Sequence, residues 1–182
     1  LIPEFSQKIG LITSETGAVI HDFLTNLGRF GYQIKFVDSR VEGQAAAQDL
    51  VSAIDYFAGR DIDVLVIIRG GGSLESLQAF NNETLARRIA NFNIPVICGI
   101  GHERDAPLSS LVADLMVSTP TAVAMALNKS WEMALSQIVA FEQDILNQYQ
   151  QVLASRKHRF EILSFQLRER ASFVFKRFAA IE

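Results

Sequence analysis

The chain has 182 residues, 49% of them apolar, 20% charged and 9% aromatic, with a formal net charge of −3. This composition excludes a disordered, collagen-like or disulfide-stapled chain, and the charge argues against an indiscriminately basic nucleic-acid coat. No apolar stretch approaches the roughly 18 residues of a membrane span and no signal peptide opens the chain, so a cytoplasmic protein without a membrane partner is expected. Cys98, the single cysteine, lies in the apolar run Ile94-Pro95-Val96-Ile97-Cys98 and reads as a reduced core residue. The opening Leu1-Ile2-Pro3-Glu4-Phe5 resembles a linker entering a domain, as in a piece of a longer protein.

The first 120 residues alternate between two periods. Residues 8–13, 33–38, 63–69 and 94–100 are short β-branched runs of the kind found in buried parallel strands. Helical segments fall between them at about 16–30, 44–58 and 82–91, with Thr16 able to cap the first and Asn82 the third. Strand–helix–strand repetition with short links predicts an α/β domain: a doubly wound, mainly parallel sheet of about four strands over residues 1–120.

A different pattern follows. All eleven glycines lie at or before Gly101, and the last of the four prolines is Pro120. Residues 121–182 therefore read as one long extended helix, a coiled-coil arm of about 90 Å at 1.5 Å per residue. Its stripe runs through Trp131, Leu135, Ile138, Phe141, Ile145, Tyr149 and Val152, then Phe160, Leu163, Leu167, Val174, Phe178 and Ile181. Such a stripe requires another helix, from the same chain, a second copy or a different subunit. A helical hairpin turning near Ser155-Arg156-Lys157-His158 is the competing arrangement. Charge divides the same way: residues 1–155 carry 10 Lys+Arg against 17 Asp+Glu, whereas residues 156–182 carry 7 against 3. That basic end could hold nucleic acid, although a solvated coiled-coil face accounts for it more simply.

Ligands of open α/β sheets bind outside the carboxyl ends of the strands. Four spots fall there: Thr13-Ser14-Glu15, Asp38-Ser39-Arg40, Arg69-Gly70-Gly71-Gly72-Ser73, and Gly99-Ile100-Gly101-His102-Glu103-Arg104-Asp105. Three glycines after a strand let backbone amides approach an anion, and Arg69 adds a planar fork suited to phosphate oxygens. The loop has neither a P-loop nor a dinucleotide fingerprint. A tight turn with a structural Arg salt bridge would explain it equally simply. His102 can act as general acid or base, or ligate a metal with Asp105, which could also orient the imidazole. His21 and His158 lack such surroundings and read as surface residues. Ser118 or Thr119 can cap the long helix with Pro120 in its first turn, and that N-terminus could face a phosphate.

At these residues a resemblance emerges. Arg69-Gly70-Gly71-Gly72-Ser73-Leu74-Glu75, continued by Leu77, Ala79-Phe80-Asn81 and Glu83, resembles the large-subunit family of bacterial exodeoxyribonuclease VII. So do Gly99-Ile100-Gly101-His102-Glu103 with Asp105, Val112-Ala113-Asp114-Leu115, and Thr119-Pro120-Thr121-Ala122. The opening Ile9-Gly10-Leu11-Ile12-Thr13-Ser14 with Thr16-Gly17-Ala18 and His21-Asp22 fits the same series. Two positions depart from the family pattern: Arg104, where a small residue such as Thr is commoner, and Ile68, where Gly is common.

The resemblance implies hydrolysis of single-stranded DNA from either end into short oligonucleotides. It also implies an OB-fold before Leu1, a returning helix after Glu182, and several small subunits bound along the coiled coil, with self-association through the helix as a further option. The implied catalytic set is Asp22, Arg69, His102 and Asp105. Of these, Asp22 is selected by the resemblance alone, since on a helical wheel it shares the polar side with Asn26 and Arg29. Ser14, Gly70, Gly71, Gly72, Ser73 and Thr119 would contact phosphate. Asp22 and Asp105 could hold one Mg2+ with several waters, its requirement being open. The alternative function is a non-enzymatic anion-binding scaffold that recruits partners through its helix. A third is an enzyme acting on a small phosphorylated metabolite held at Gly70–Ser73.

Overall fold

The computed structural model describes residues 1–179 other than 17, 72, 73 and 102–105; for 74–76 and 177–179 only the backbone is described. In chain order the elements are β1 (Lys8–Thr13), α1 (Ala18–Asn26), β2 (Gln33–Asp38), α2 (Ala46–Phe57) and β3 (Val64–Ile68). A 3₁₀ helix (Leu74–Asn81), α3 (Glu83–Ala90), β4 (Val96–Gly99), α4 (Leu108–Leu111), β5 (Leu115–Val117) and α5 (Pro120–Ala179) complete it. They form two compact units, Leu1–Met133 and Ala134–Glu182, and the described residues of the second are the later part of α5.

In the first unit all five strands run parallel in the order β2-β1-β3-β4-β5. Two buried clusters cover the two faces. One joins Leu50, Ile54 and Phe57 of α2 and Leu85 and Ile89 of α3 to Ile12, Leu65, Ile67 and Cys98. The other joins Phe23 of α1 and Val123, Ala124 and Leu127 of α5 to Leu11, Val66, Ile68 and Ile97. This is the doubly wound arrangement expected from the alternating periods. Helices on both faces are what let β1, β3 and β4 be nearly continuous apolar runs.

The structure amends three sequence expectations. The sheet has a fifth strand, β5, which at three residues is too short to show a period. Residues 33–38 form a strand but not a buried one, because β2 is the sheet edge and has only exposed and partly buried positions. Trp131 does not belong to the stripe of the later helix. It stacks on Phe30 with ring centroids 5.9 Å apart and meets Phe5 edge-on at 5.0 Å, inside the first unit. The predicted caps at the third and last helices form: Asn82 Oδ1 accepts from the Leu85 amide at 3.1 Å, and Thr119 Oγ1 from Ala122 at 3.1 Å. No break occurs near Ser155, so the described residues contain no helical hairpin. No helix among the described residues is long and apolar enough to cross a membrane.

Two contacts set the domain around its strand ends. A Cβ on Gly99 would lie 2.5 Å from Val123 Cγ2 and 3.2 Å from the Thr119 carbonyl, so glycine is what lets the start of α5 reach the end of β4. Asn128 then fastens α5 to the α1–β2 link. Its Oδ1 accepts from Gly28 N at 2.8 Å and Tyr32 Oη at 3.3 Å, and its Nδ2 donates to the Asn26 carbonyl at 3.0 Å. Tyr32 shares its single hydroxyl proton between Asn128 Oδ1 and the Leu127 carbonyl, the latter at 2.9 Å. Burial, with Glu132 nearby, pushes the Tyr32 phenol up to about 12.

Candidate active site

With strand order β2-β1-β3-β4-β5, the chain leaves β1 toward β2 on one side and returns to β3 on the other. The connections after β1 and β3 therefore diverge, and the crevice between them is where a doubly wound sheet binds ligands. A cleft of about 440 Å³ lies there, lined by Ser14 after β1, Thr16, Ala18, Val19 and Asp22 at and on α1, Val41 and Glu42 after β2, and Gly70 and Gly71 after β3. Its size falls within the range of small-ligand clefts.

Each wall has a local cause. β1 ends at Thr13, and the Glu15 amide donates to Asp38 Oδ1 at 2.8 Å, tying the turn to the end of β2. Ser14 Oγ and Thr16 Oγ1 are 3.0 Å apart, so both hydroxyls meet at the mouth. Asp22 sits one turn into α1, exposed, while its neighbour Phe23 turns into the core. The β2–α2 link is held by the Arg40–Asp49 ion pair and by the Ala46 amide donating to the Gly43 carbonyl at 3.2 Å. Partly buried Val41 packs against the α2-side core.

Arg69 follows β3 directly. Its side chain is 2% exposed, and Nη2 donates to Glu42 Oε1 at 3.3 Å, where the Glu42 side chain is 56% exposed. A guanidinium so deeply placed needs compensating acceptors, and Glu42 is one of them. Gly70 is explained by packing, since a Cβ there would stand 2.5 Å from Val19 Cγ2 of α1. Among the described residues nothing lies within 4 Å of a would-be Cβ on Gly71.

The structure thus brings Ser14, Asp22, Gly70 and Gly71 together, with the Arg69–Glu42 pair at the same wall. Thr119 is placed as the cap of α5 and is not among the residues lining this cleft. Gly72, Ser73, His102 and Asp105 lie outside the described residues, as do Glu103 and Arg104. Gly101 and Ala106, the described residues flanking 102–105, line a second hollow of about 320 Å³ with Ile100, Met116, Val117, Ser118 and Ala122. Glu42 was not foreseen. The sequence marks Asp38-Ser39-Arg40 at the end of β2, and only the course of the link shows that a residue further on reaches the cleft. Cys98 is buried, its thiol pushed up to about 12 by that burial, as suits an inert core residue.

Among the described residues no group of three or more His, Cys, Asp or Glu could hold a metal ion. Asp22 and Glu42 nevertheless share the cleft with two hydroxyls, and Mg2+, which keeps several waters, is bound through one or two carboxylates.

Comparison with known proteins shows the family. A family described as "Exonuclease VII, large subunit" matches residues 1–179. The exodeoxyribonuclease 7 large subunit of Geobacter sulfurreducens is 42% identical over 92% of this chain and 38% of the relative. That of Halothermothrix orenii is 40% identical over 88% and 38%, and that of Clostridium novyi 47% identical over 68% and 32%. The chain spans under two fifths of the length of these relatives. It belongs to the exonuclease VII large-subunit family.

Proposed function

We propose that this chain is the catalytic part of an exodeoxyribonuclease large subunit. It hydrolyses phosphodiester bonds of single-stranded DNA from either end to short oligonucleotides, in the cytoplasm and as part of a hetero-oligomer with small subunits. The observation that carries this reading is the crevice between β1 and β3. There a chain of this family gathers Ser14, Asp22, Glu42 and Gly70–Gly71, with Glu42 paired to the buried Arg69.

In this reading a phosphate enters the cleft against Arg69 and the backbone of Gly71. The guanidinium offsets charge growing on the non-bridging oxygens. Asp22 orders the attacking water, whose oxygen bonds to phosphorus as the P–O bond to the leaving sugar breaks. His102, which Asp105 would orient, takes the proton from water while the leaving oxygen takes one from solvent, or gives a proton to the leaving oxygen while the water proton passes to solvent. If the reaction uses Mg2+, Asp22 would hold it, with Asp105 the other carboxylate expected from the resemblance; the ion would polarise a phosphoryl oxygen.

The first 155 residues are acidic on balance, which points to strand affinity coming from elsewhere in the full chain or from the basic end of α5. The second unit supplies the small-subunit surface: Phe141, Ile145 and Tyr149 recur along α5 and are all exposed. The test incubates end-labelled single-stranded DNA with the full-length chain and its small subunits, with Mg2+, with excess EDTA, or with His102→Ala. Short labelled products that disappear in the variant are expected, and the EDTA sample decides the metal. Intact DNA in every sample would refute the nuclease reading.

A further inference from the structure

We infer that Glu42 is a positioning residue for Arg69, setting the direction in which the guanidinium fork meets a phosphate; this rests on the proposed role of Arg69. The two side chains are placed very unequally, one 2% and the other 56% exposed, with 3.3 Å between Arg69 Nη2 and Glu42 Oε1. The carboxylate helps to compensate the buried charge, and it also acts on the pose of the fork. This second effect is directional, because a planar fork with five donors binds phosphate oxygens well only when it is turned the right way.

The link that carries Glu42 is held on both sides. Arg40 pairs with Asp49 of α2 on one side, Val41 packs onto the α2-side core, and Ala46 closes the turn onto Gly43 on the other. Glu42 also lines the cleft beside Ser14, Asp22 and Gly70, so a second negative group faces an anionic substrate. Repulsion of that kind weakens substrate binding. It is tolerable if the acceptor atom, rather than the charge, is what orients Arg69.

This gives a specific expectation for kinetics on a single-stranded oligonucleotide, using the full chain with its small subunits. Glu42→Ala should lower kcat per folded molecule by about 10-fold to 100-fold, the scale of a displaced catalytic group, beyond any fall in melting temperature from loss of a compensating acceptor. Glu42→Gln keeps the acceptor and should recover most of the lost kcat, with KM at or below that of the parent. Arg69→Ala, and Arg69→Lys in case the former fails to fold, are measured alongside. Combining Glu42→Ala with either should cost no more than the Arg69 change alone. Parental kcat in Glu42→Ala, or full additivity with Arg69, would overturn the inference while leaving the role of Arg69 intact. Parental cleavage by both Arg69 variants would remove that role and the inference with it.

Discussion

The first unit contains two polar centres that differ in what they leave undone. Around Asn128 three hydrogen bonds close between α5 and the α1–β2 link, and the residue is 5% exposed. Around Arg69 the guanidinium is just as deeply placed, yet Glu42 and Asp22 are exposed and face an open cleft. A satisfied, closed network stabilises a fold. A carboxylate exposed at a cleft and paired with a deeply placed cation is positioned for chemistry as well as for the fold. Substitutions at the first centre should therefore cost stability, and at the second chiefly activity.

The largest expected effect is at the cleft. Arg69→Lys should reduce cleavage by about 10²–10³, the scale seen on losing one preorganised donor. Steady-state rates on labelled DNA measure it, and an undiminished rate would erase the contrast. Next comes Leu127→Ala, which opens a void beside Phe23 and Val66 in the core. It should lower unfolding free energy by about 2–5 kcal/mol in urea titrations. Asn128→Ala strands the Gly28 amide and the Asn26 carbonyl, for a loss of about 1–3 kcal/mol, while the rate per folded molecule stays unchanged.

A smaller effect follows from Tyr32. Its phenol is raised from 10.0 to about 12 in the folded state, so the native protein binds the proton more tightly than the unfolded chain does. The associated stability is complete below pH 10 and is lost as pH climbs toward 12. Tyr32→Phe should flatten that alkaline decline in the urea midpoint, leaving the part due to Cys98. Smallest of all, Phe141→Ala or Ile145→Ala in the second unit should alter unfolding of the first by under about 0.5 kcal/mol, since both side chains are exposed.

Much of the frame was legible in the sequence because period and punctuation agreed. Residues 8–13 and 33–38 are strands over the expected spans, Asn82 and Thr119 cap the helices they precede, and the absence of Gly and Pro after Pro120 matches one unbroken helix. The misses share a cause: they depend on neighbours distant in sequence. β5 is a strand because β4 lies beside it, and Trp131 leaves its stripe because Phe5 and Phe30 are there to receive it. At the site, strand-end logic located Ser14 and the glycine loop, and Asp22 came from resemblance alone. Glu42 was invisible because its reach depends on the course of the β2–α2 link.

The most direct test of the account is Asp22→Asn in the full complex acting on end-labelled single-stranded DNA. Asp22 is exposed on α1, so this substitution should leave the thermal melt unchanged. The account predicts a large loss of short labelled products in a folded, assembled enzyme. Cleavage at the parental rate would contradict the assignment of the β1–β3 crevice as the place where the phosphodiester bond is broken.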